Sequence, residues 1–323
     1  MKAAVLHALG ETPRYETYPD PTPVADNDIV ITMEAAAVKN LDKGRASGAH
    51  YAPHKNLPEV VGIDGIGRLA DGTRVYASSS RGMIAEKAVI NKNQYVVIPE
   101  GLDSITAAAL PNAIMGSALA LKYRANLQRN EVVLVNGATG VTGHAAVQIA
   151  KYYGAGKVIA TGRNDNALQA LKKLGADQVI SLEQDDDYIR AQFKALNQES
   201  PIDIVIDYLW GHPVELLIDG LKGGGLNQVS HRTRIITVGS MAGENILLTS
   251  AALRSSGIEI LGSGIGSLSP QAMQELYSKV LPDLFQQAAK GKLKLATITA
   301  ELKDIETVWN ATIPTGKRLV ITM

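Results

Sequence analysis

The run Val132-Val133-Leu134-Val135-Asn136-Gly137-Ala138-Thr139-Gly140-Val141-Thr142-Gly143 has the pattern of a buried strand, a glycine-rich turn and the start of a helix. Its first four residues are apolar and mostly β-branched, the composition of a strand buried on both faces. Glycines at 137, 140 and 143 follow directly. Backbone without side chains can approach a pyrophosphate, and a helix opening at Val141 offers unpaired N–H groups and the positive end of its dipole. An isolated Gly-x-x-Gly-x-x-Gly run also occurs in tight strand–helix turns, so the surrounding sequence has to carry the reading.

Working outward, five more short apolar runs read as strands: Val158–Thr161, Gln178–Ile180, Asp203–Ile206, Arg234–Val238 and Ile258–Leu261. Segments of helical period separate them. One runs from Val141 to Tyr153 and stops at Gly154; the next is capped by Asn164 or Asp165, carries Leu168, Leu171 and Leu174 on one face and ends at Gly175. Strands alternating with helices predict an α/β fold, here a Rossmann doubly wound six-stranded parallel sheet.

The second strand selects the dinucleotide. An acidic residue at its end would hold the ribose hydroxyl of NAD, whereas an arginine accommodates the 2′-phosphate of NADP. Val158–Thr161 runs instead into Gly162-Arg163-Asn164, with no carboxylate at the strand end. Gly162 is expected to leave space and Arg163 to supply a planar cationic fork, so NADPH is the expected cofactor. Its other expected contacts are Asn136, Gly137, Thr139, Gly140, Val141, Thr142 and Gly143 in the first loop. Tyr208-Leu209-Trp210, Val238-Gly239-Ser240 and Gly264-Ile265-Gly266 follow later strands, where ligands of open α/β sheets bind.

Before this region the chain has short strand-like runs between turn signals: Ile29–Met33, Val60–Leu69, Arg74–Ala77 and Tyr95–Ile98. After it comes a helical pattern from about Pro270 to Lys290, then strand-like stretches at 293–299 and 318–322. The expected division is a mostly β domain over 1–112, completed by 263–323, and a dinucleotide domain over 113–262.

Composition excludes several functions. With 32 basic and 32 acidic residues the chain has no net field to draw it to nucleic acid. No cysteine is present, which removes disulfides, thiolate zinc sites and cysteine nucleophiles together. Met1–Gly10 reads as a first strand rather than a signal peptide, because no cleavage site follows its short apolar run. The most apolar window, Ile105–Leu121, is interrupted by Thr106, Pro111, Asn112 and Ser117, short of a clean membrane span of roughly 18 residues. A cytoplasmic protein is expected, with neither membrane nor nucleic acid as partner.

In order along the chain, Ala37-Val38-Lys39-Asn40-Leu41-Asp42 through Ser47-Gly48, Leu57–Gly67, Gly72-Thr73-Arg74-Val75, Ala107–Pro111, the Gly137–Gly143 loop and Gly257–Ser263 resemble the medium-chain dehydrogenases/reductases, and within them the zinc-free quinone oxidoreductase branch. The resemblance implies a GroES-like catalytic domain with the cofactor domain inserted, an active site in the cleft between them, and a homodimer. Zinc-dependent relatives carry a cysteine near residues 38–40, Gly-His-Glu where this chain has Gly62-Ile63-Asp64, and a four-cysteine lobe around 90–110. None of these is present, and Pro53 between His50 and His54 argues against a shared helix face, so no metal site is expected.

Alcohol oxidation needs a stabilised alkoxide, which zinc provides as a Lewis acid. Without one, the expected hydride acceptor is already electrophilic: a quinone or an α,β-unsaturated carbonyl. Charge developing on its oxygen needs hydrogen-bond donors and then a proton. Lys39, Asn40 and Tyr51 are the candidate donors. By resemblance Asn40 and Asp42 match an Asn-x-x-Asp element with one residue deleted, and Tyr51 matches a tyrosine following the Ser-Gly turn; Gly44 stands where many relatives have another tyrosine. Read from the residues alone, Asn40 and Asp42 are equally turn caps, and Tyr51 an aromatic lid. The competing readings are a zinc-free alcohol or aldehyde dehydrogenase and a non-catalytic NADPH-binding sensor or structural protein.

Overall fold

The computed structural model describes residues 1–222 and 231–323. The chain forms two compact units, Met1–Asn112 with Gln274–Met323, and Ala113–Met273. The second crossing therefore lies at residue 274, where the sequence reading puts it at 263.

The Ala113–Met273 unit is built on a six-stranded parallel sheet. In spatial order its strands are Gln178–Ser181, Lys157–Gly162, Val132–Asn136, Ile204–Asp207, Arg232–Thr237 and Gly257–Gly262. These are the six expected strands, with ends shifted by two residues or fewer. Chain order reverses between Val132–Asn136 and Ile204–Asp207, the switch point at which such sheets open a crevice. Leu134, Ile159, Val205 and Ile235 are fully buried from the sheet, with Phe193, Val214 and Leu217 packed on them from the helices. Each such side chain contributes about 1.5–3 kcal/mol by leaving water. Asn164 caps helix Asp165–Lys172 by accepting from the Ala167 N–H at 2.9 Å, and Asp185 caps Asp186–Glu199 by accepting from the Tyr188 N–H at 2.8 Å.

The other unit is mostly antiparallel. Its longest strand, Asp28–Val38, is irregular between Met33 and Ala35, and that break lets it serve different neighbours. Its first half pairs with Lys87–Asn91 and its second half with Lys317–Thr322, Leu319 opposite Val38. Ala296–Glu301 lies parallel to Lys317–Thr322, so the carboxyl-terminal strands join this unit. Lys2–Leu6 pairs with Arg14–Thr17 and Glu59–Val60 in a separate three-stranded sheet. Leu6, Val38, Val61, Trp309 and Leu319 belong to a common core.

Ser104–Leu119 is one helix despite Pro111 and continues through a π-turn at Ala120–Arg124. By length and composition this continuous segment could cross a membrane, contrary to the reading of the interrupted window. In its most apolar stretch 67% is buried inside the protein, as in the core helix of a globular unit.

Candidate functional site

At the carboxyl end of Val132–Asn136 the chain turns through Gly137, whose φ of +81° is left-handed. A Cβ there would also lie 2.8 Å from two side-chain carbons of Leu209. Gly143 is required for a different reason: its Cβ would fall 2.4 Å from Cα of Ala138. Gly140 precedes helix Val141–Tyr152 with φ −77° and ψ 170°, and nothing lies within 4 Å of where its Cβ would be. That helix has neither a side-chain cap at Gly140 nor an acidic residue in its first turn. The helix's own first turn thus brings no competing anion, and the turn is open at Gly140, where a phosphate would approach.

Behind the turn lies a polar chain that crosses the switch point. The Gly137 N–H donates to the Thr161 hydroxyl at 3.2 Å, which donates to Oδ1 of Asn136 at 2.6 Å; Nδ2 of Asn136 donates to Asp207 at 2.8 Å. Thr161, Asn136 and Asp207 are all fully buried. Asp207 also accepts from the backbone N–H groups of Leu209 at 3.1 Å and Trp210 at 3.0 Å. Burial pushes its carboxyl up to about 6, against the opposing effect of these hydrogen bonds. Asn136, Asp207, Thr237 and Gly262 lie opposite one another in successive strands, forming a row at the carboxyl end of the sheet. The buried hydroxyl of Thr237 has no hydrogen-bond partner among the described residues. Open backbone, a helix N-terminus without a side-chain cap and an orphaned hydroxyl in the row at the sheet end fit a dinucleotide.

The remaining cofactor candidates divide. Gly162 does not leave empty space: a Cβ would lie 2.5 Å from the Thr139 methyl, so its lack of a side chain seats the first loop. Arg163 is exposed, and no carboxylate among the described residues bridges to it. Asn164 spends its side chain on the helix cap. Val238 and Gly239 donate backbone N–H groups to the Asp207 carbonyl at 2.7 and 3.2 Å, and the Ser240 hydroxyl donates to Glu244 at 2.6 Å. Gly264 and Gly266 have open surroundings, and Ile265–Ser267 forms a single 3-10 turn. The Arg124 guanidinium holds this segment through the Gly262 carbonyl at 2.8 Å.

The candidates in the other unit do not form one cluster. Asn40 opens helix Asn40–Ser47 and is exposed. Tyr51 is 87% exposed, its ring stacked against His50 with centroids 4.0 Å apart. Asp42 is buried: it accepts from the Lys39 N–H at 2.9 Å and the Ile63 N–H at 3.2 Å, and lies 3.2 Å from the Lys39 ammonium. The three-residue spacing is therefore realised by Lys39 with Asp42, not by Asn40. Lys39 also pairs with Asp64, which accepts from the Tyr76 hydroxyl at 3.1 Å. Burial opposes charge on Lys39, but Asp42 and Asp64 outweigh it and hold the ammonium above its ordinary range. Sequence reading named Lys39 as a donor only and missed Asp64 and Tyr76. Among the described residues no three His, Asp or Glu side chains are grouped to hold a metal ion.

Comparison with known proteins adds the following. The family model described as zinc-binding dehydrogenase matches residues 141–282. A probable NADPH-dependent quinone reductase of Emericella nidulans is 26% identical, the match covering 96% of each chain. The chloroplastic NADPH-dependent alkenal/one oxidoreductase of Arabidopsis thaliana is 29% identical, over 57% of this chain and 50% of that one. The quinone oxidoreductase of Thermus thermophilus, solved alone and with NADPH, superposes along both whole chains with a TM-score of 0.81 at 24% identity.

Proposed function

Because the chain belongs to the medium-chain dehydrogenase/reductase family, we propose that it is an NADPH-dependent reductase that delivers hydride to quinones or α,β-unsaturated carbonyls without a metal ion. The observation that carries this reading is the open Gly140 turn at a helix N-terminus, braced on the switch point of the parallel sheet. Relatives named for NADPH and for quinone or alkenal/one substrates support the cofactor and the acceptor class.

The residues fit their parts. Backbone N–H groups at the start of helix Val141–Tyr152 would hold the diphosphate, and Arg163, exposed and without a carboxylate partner among the described residues, would hold the 2′-phosphate. When bound, the reduced nicotinamide supplies the hydride. Lys39 and Asp42 are committed to buried ion pairs, which leaves Asn40 and Tyr51 as the accessible groups to orient an acceptor oxygen or its water-derived proton. The metal-free reading rests on donor chemistry: Ile63 stands where zinc relatives have histidine, and an ammonium paired with Asp64 cannot act as a ligand. A cytoplasmic homodimer remains part of this reading.

The test is NADPH oxidation followed by absorbance with a panel of quinones and enones, alongside saturated alcohols with NADP⁺. Turnover of an electrophilic acceptor is expected. Turnover of alcohols alone, or of nothing, would refute the proposal.

A further inference from the structure

Asp207 is a buried carboxylate without a cation among the described residues. Its four incoming hydrogen bonds, from Asn136 Nδ2, the Leu209 N–H and the Trp210 N–H to both oxygens, all come from neutral donors. On one side these bonds lead through Asn136 and Thr161 to the amide of Gly137. On the other they hold Trp210 at φ 53° and ψ −160°, a positive-φ conformation that costs a non-glycine residue on the order of 1–3 kcal/mol. Gly211 follows at φ 58°. The two loops also touch, since Leu209 packs where Gly137 would carry a Cβ. The 208–211 loop is tied onward to the next strand end by the Ala242 N–H, which donates to the Leu209 carbonyl at 2.7 Å.

We propose that Asp207 is the positioning residue of the nucleotide site: one carboxylate at the switch point sets both the Gly137 turn that receives the diphosphate and the strained 208–211 loop beside it. This rests on the reading of that turn as a dinucleotide site and assigns the site an organiser that does not itself touch the ligand. The position calls for acceptors only. An asparagine there would point an N–H at Nδ2 of Asn136 or at a backbone N–H, so an amide cannot keep the chain of donors. Burial raises the carboxyl toward 6, which leaves it ionised at neutral pH and able to serve all its donors.

The experiment measures binding, not turnover. NADPH and its adenine-end fragment adenosine 2′-monophosphate, which lacks the 5′-phosphate, are titrated at pH 7.5 into the parent protein, Asp207→Asn, and the exchanged pair Asn136→Asp with Asp207→Asn, which restores the contact between 136 and 207 but turns an amide nitrogen toward the Leu209 N–H. Asp207→Asn should bind NADPH roughly tenfold or more weakly while adenosine 2′-monophosphate binding stays within about twofold, and the exchanged pair should recover only part of the NADPH affinity. If Asp207→Asn does not fold, Thr161→Val, which removes the hydroxyl under Gly137, must show the same selective loss. NADPH affinity unchanged in the variant overturns the proposal, as does an equal loss for both ligands, which signals a disrupted unit and not a misplaced loop. A parent protein that binds neither ligand overturns the dinucleotide reading itself and the proposal with it, an outcome distinct from either variant result.

Discussion

Breaking the buried Lys39 ion cluster should cost the β-rich unit several kcal/mol of stability. Replacing Lys39 by Met keeps the stem and removes the ammonium. The side chains of Lys39, Asp42 and Asp64 are 1%, 0% and 3% exposed, so the two carboxylates stay behind in an apolar interior with Arg318 as the remaining nearby cation. Removing one member of a buried pair costs about 3–5 kcal/mol. Asp42 keeps two backbone N–H donors and Asp64 keeps the Tyr76 hydroxyl, which places the loss near the lower end, about 3 kcal/mol at pH 7. Without the ammonium, the Asp42 carboxyl, which burial already raises against the opposing pull of Lys39, should titrate still further above its unfolded range. The deficit should then shrink as pH falls from 7 toward 5, because protonation favours the folded state there. A second change, Asp64→Asn, removes one stranded charge and should recover about 1–2 kcal/mol. Trp309 is buried in this unit and Trp210 belongs to the other, so urea unfolding followed by tryptophan fluorescence in a Trp210→Phe background reads the affected core. A Lys39→Met protein as stable as its parent, or a double variant weaker than the single, would show that the ammonium does not hold these carboxylates in the fold.

Other perturbations test the nucleotide unit. Asp207 has a folded pKa near 6 against 3.8 for the free group. Its contribution is fully present well below pH 3.8 and is lost as pH rises through 6, so parent stability relative to Asp207→Asn should fall by about 2 kcal/mol between pH 4 and 7. Parallel denaturation profiles would contradict this. Arg163→Ala should weaken NADPH binding by about 10–100-fold, the worth of charge-assisted hydrogen bonds, and leave NADH within about twofold. Equal losses in calorimetry would remove Arg163 from the site. Gly143→Ala drives a Cβ into the Ala138 backbone and should cost about 3 kcal/mol or more of stability, read as a lowered urea midpoint. Gly140→Ala meets open space and should fold normally, yet bind nucleotide poorly; a Gly140→Ala protein with full affinity would show that the diphosphate does not enter there.

The sequence was most informative where strands are buried on both faces. Val132–Val135 and its five companions are short apolar runs ended by glycine or polar residues, and their order in the chain suffices to predict a parallel sheet with a crevice at the first loop. Arg14–Thr17 and Lys87–Asn91 escaped notice because their sequences, Arg-Tyr-Glu-Thr and Lys-Ala-Val-Ile-Asn, carry little pattern; their conformation comes from pairing with Lys2–Leu6 and Asp28–Val38. The buried polar groups were harder still. Lys39, Asp42, Asp64 and Arg318 look like surface residues until three distant segments close around them. Asp207 reads as the polar start of a loop, although a carboxylate directly after Ile204-Val205-Ile206 could have been recognised as buried at a strand end. The expected space beside Gly162 holds the Thr139 methyl, a contact between separate loops that spacing cannot reveal.

The insertion of one unit into the other sets an order of assembly during translation. Ala113–Met273 is contiguous, so it can complete its sheet and load nucleotide while later residues are still inside the ribosome. The other unit waits with one edge of the second half of Asp28–Val38 open until Lys317–Thr322 emerges to lie against it. For that interval the nascent protein carries an open strand edge, a surface that recruits chaperones or neighbouring chains. Shortening the chain before Lys317 would make that transient exposure permanent, and the expected result is an insoluble product rather than a smaller working protein.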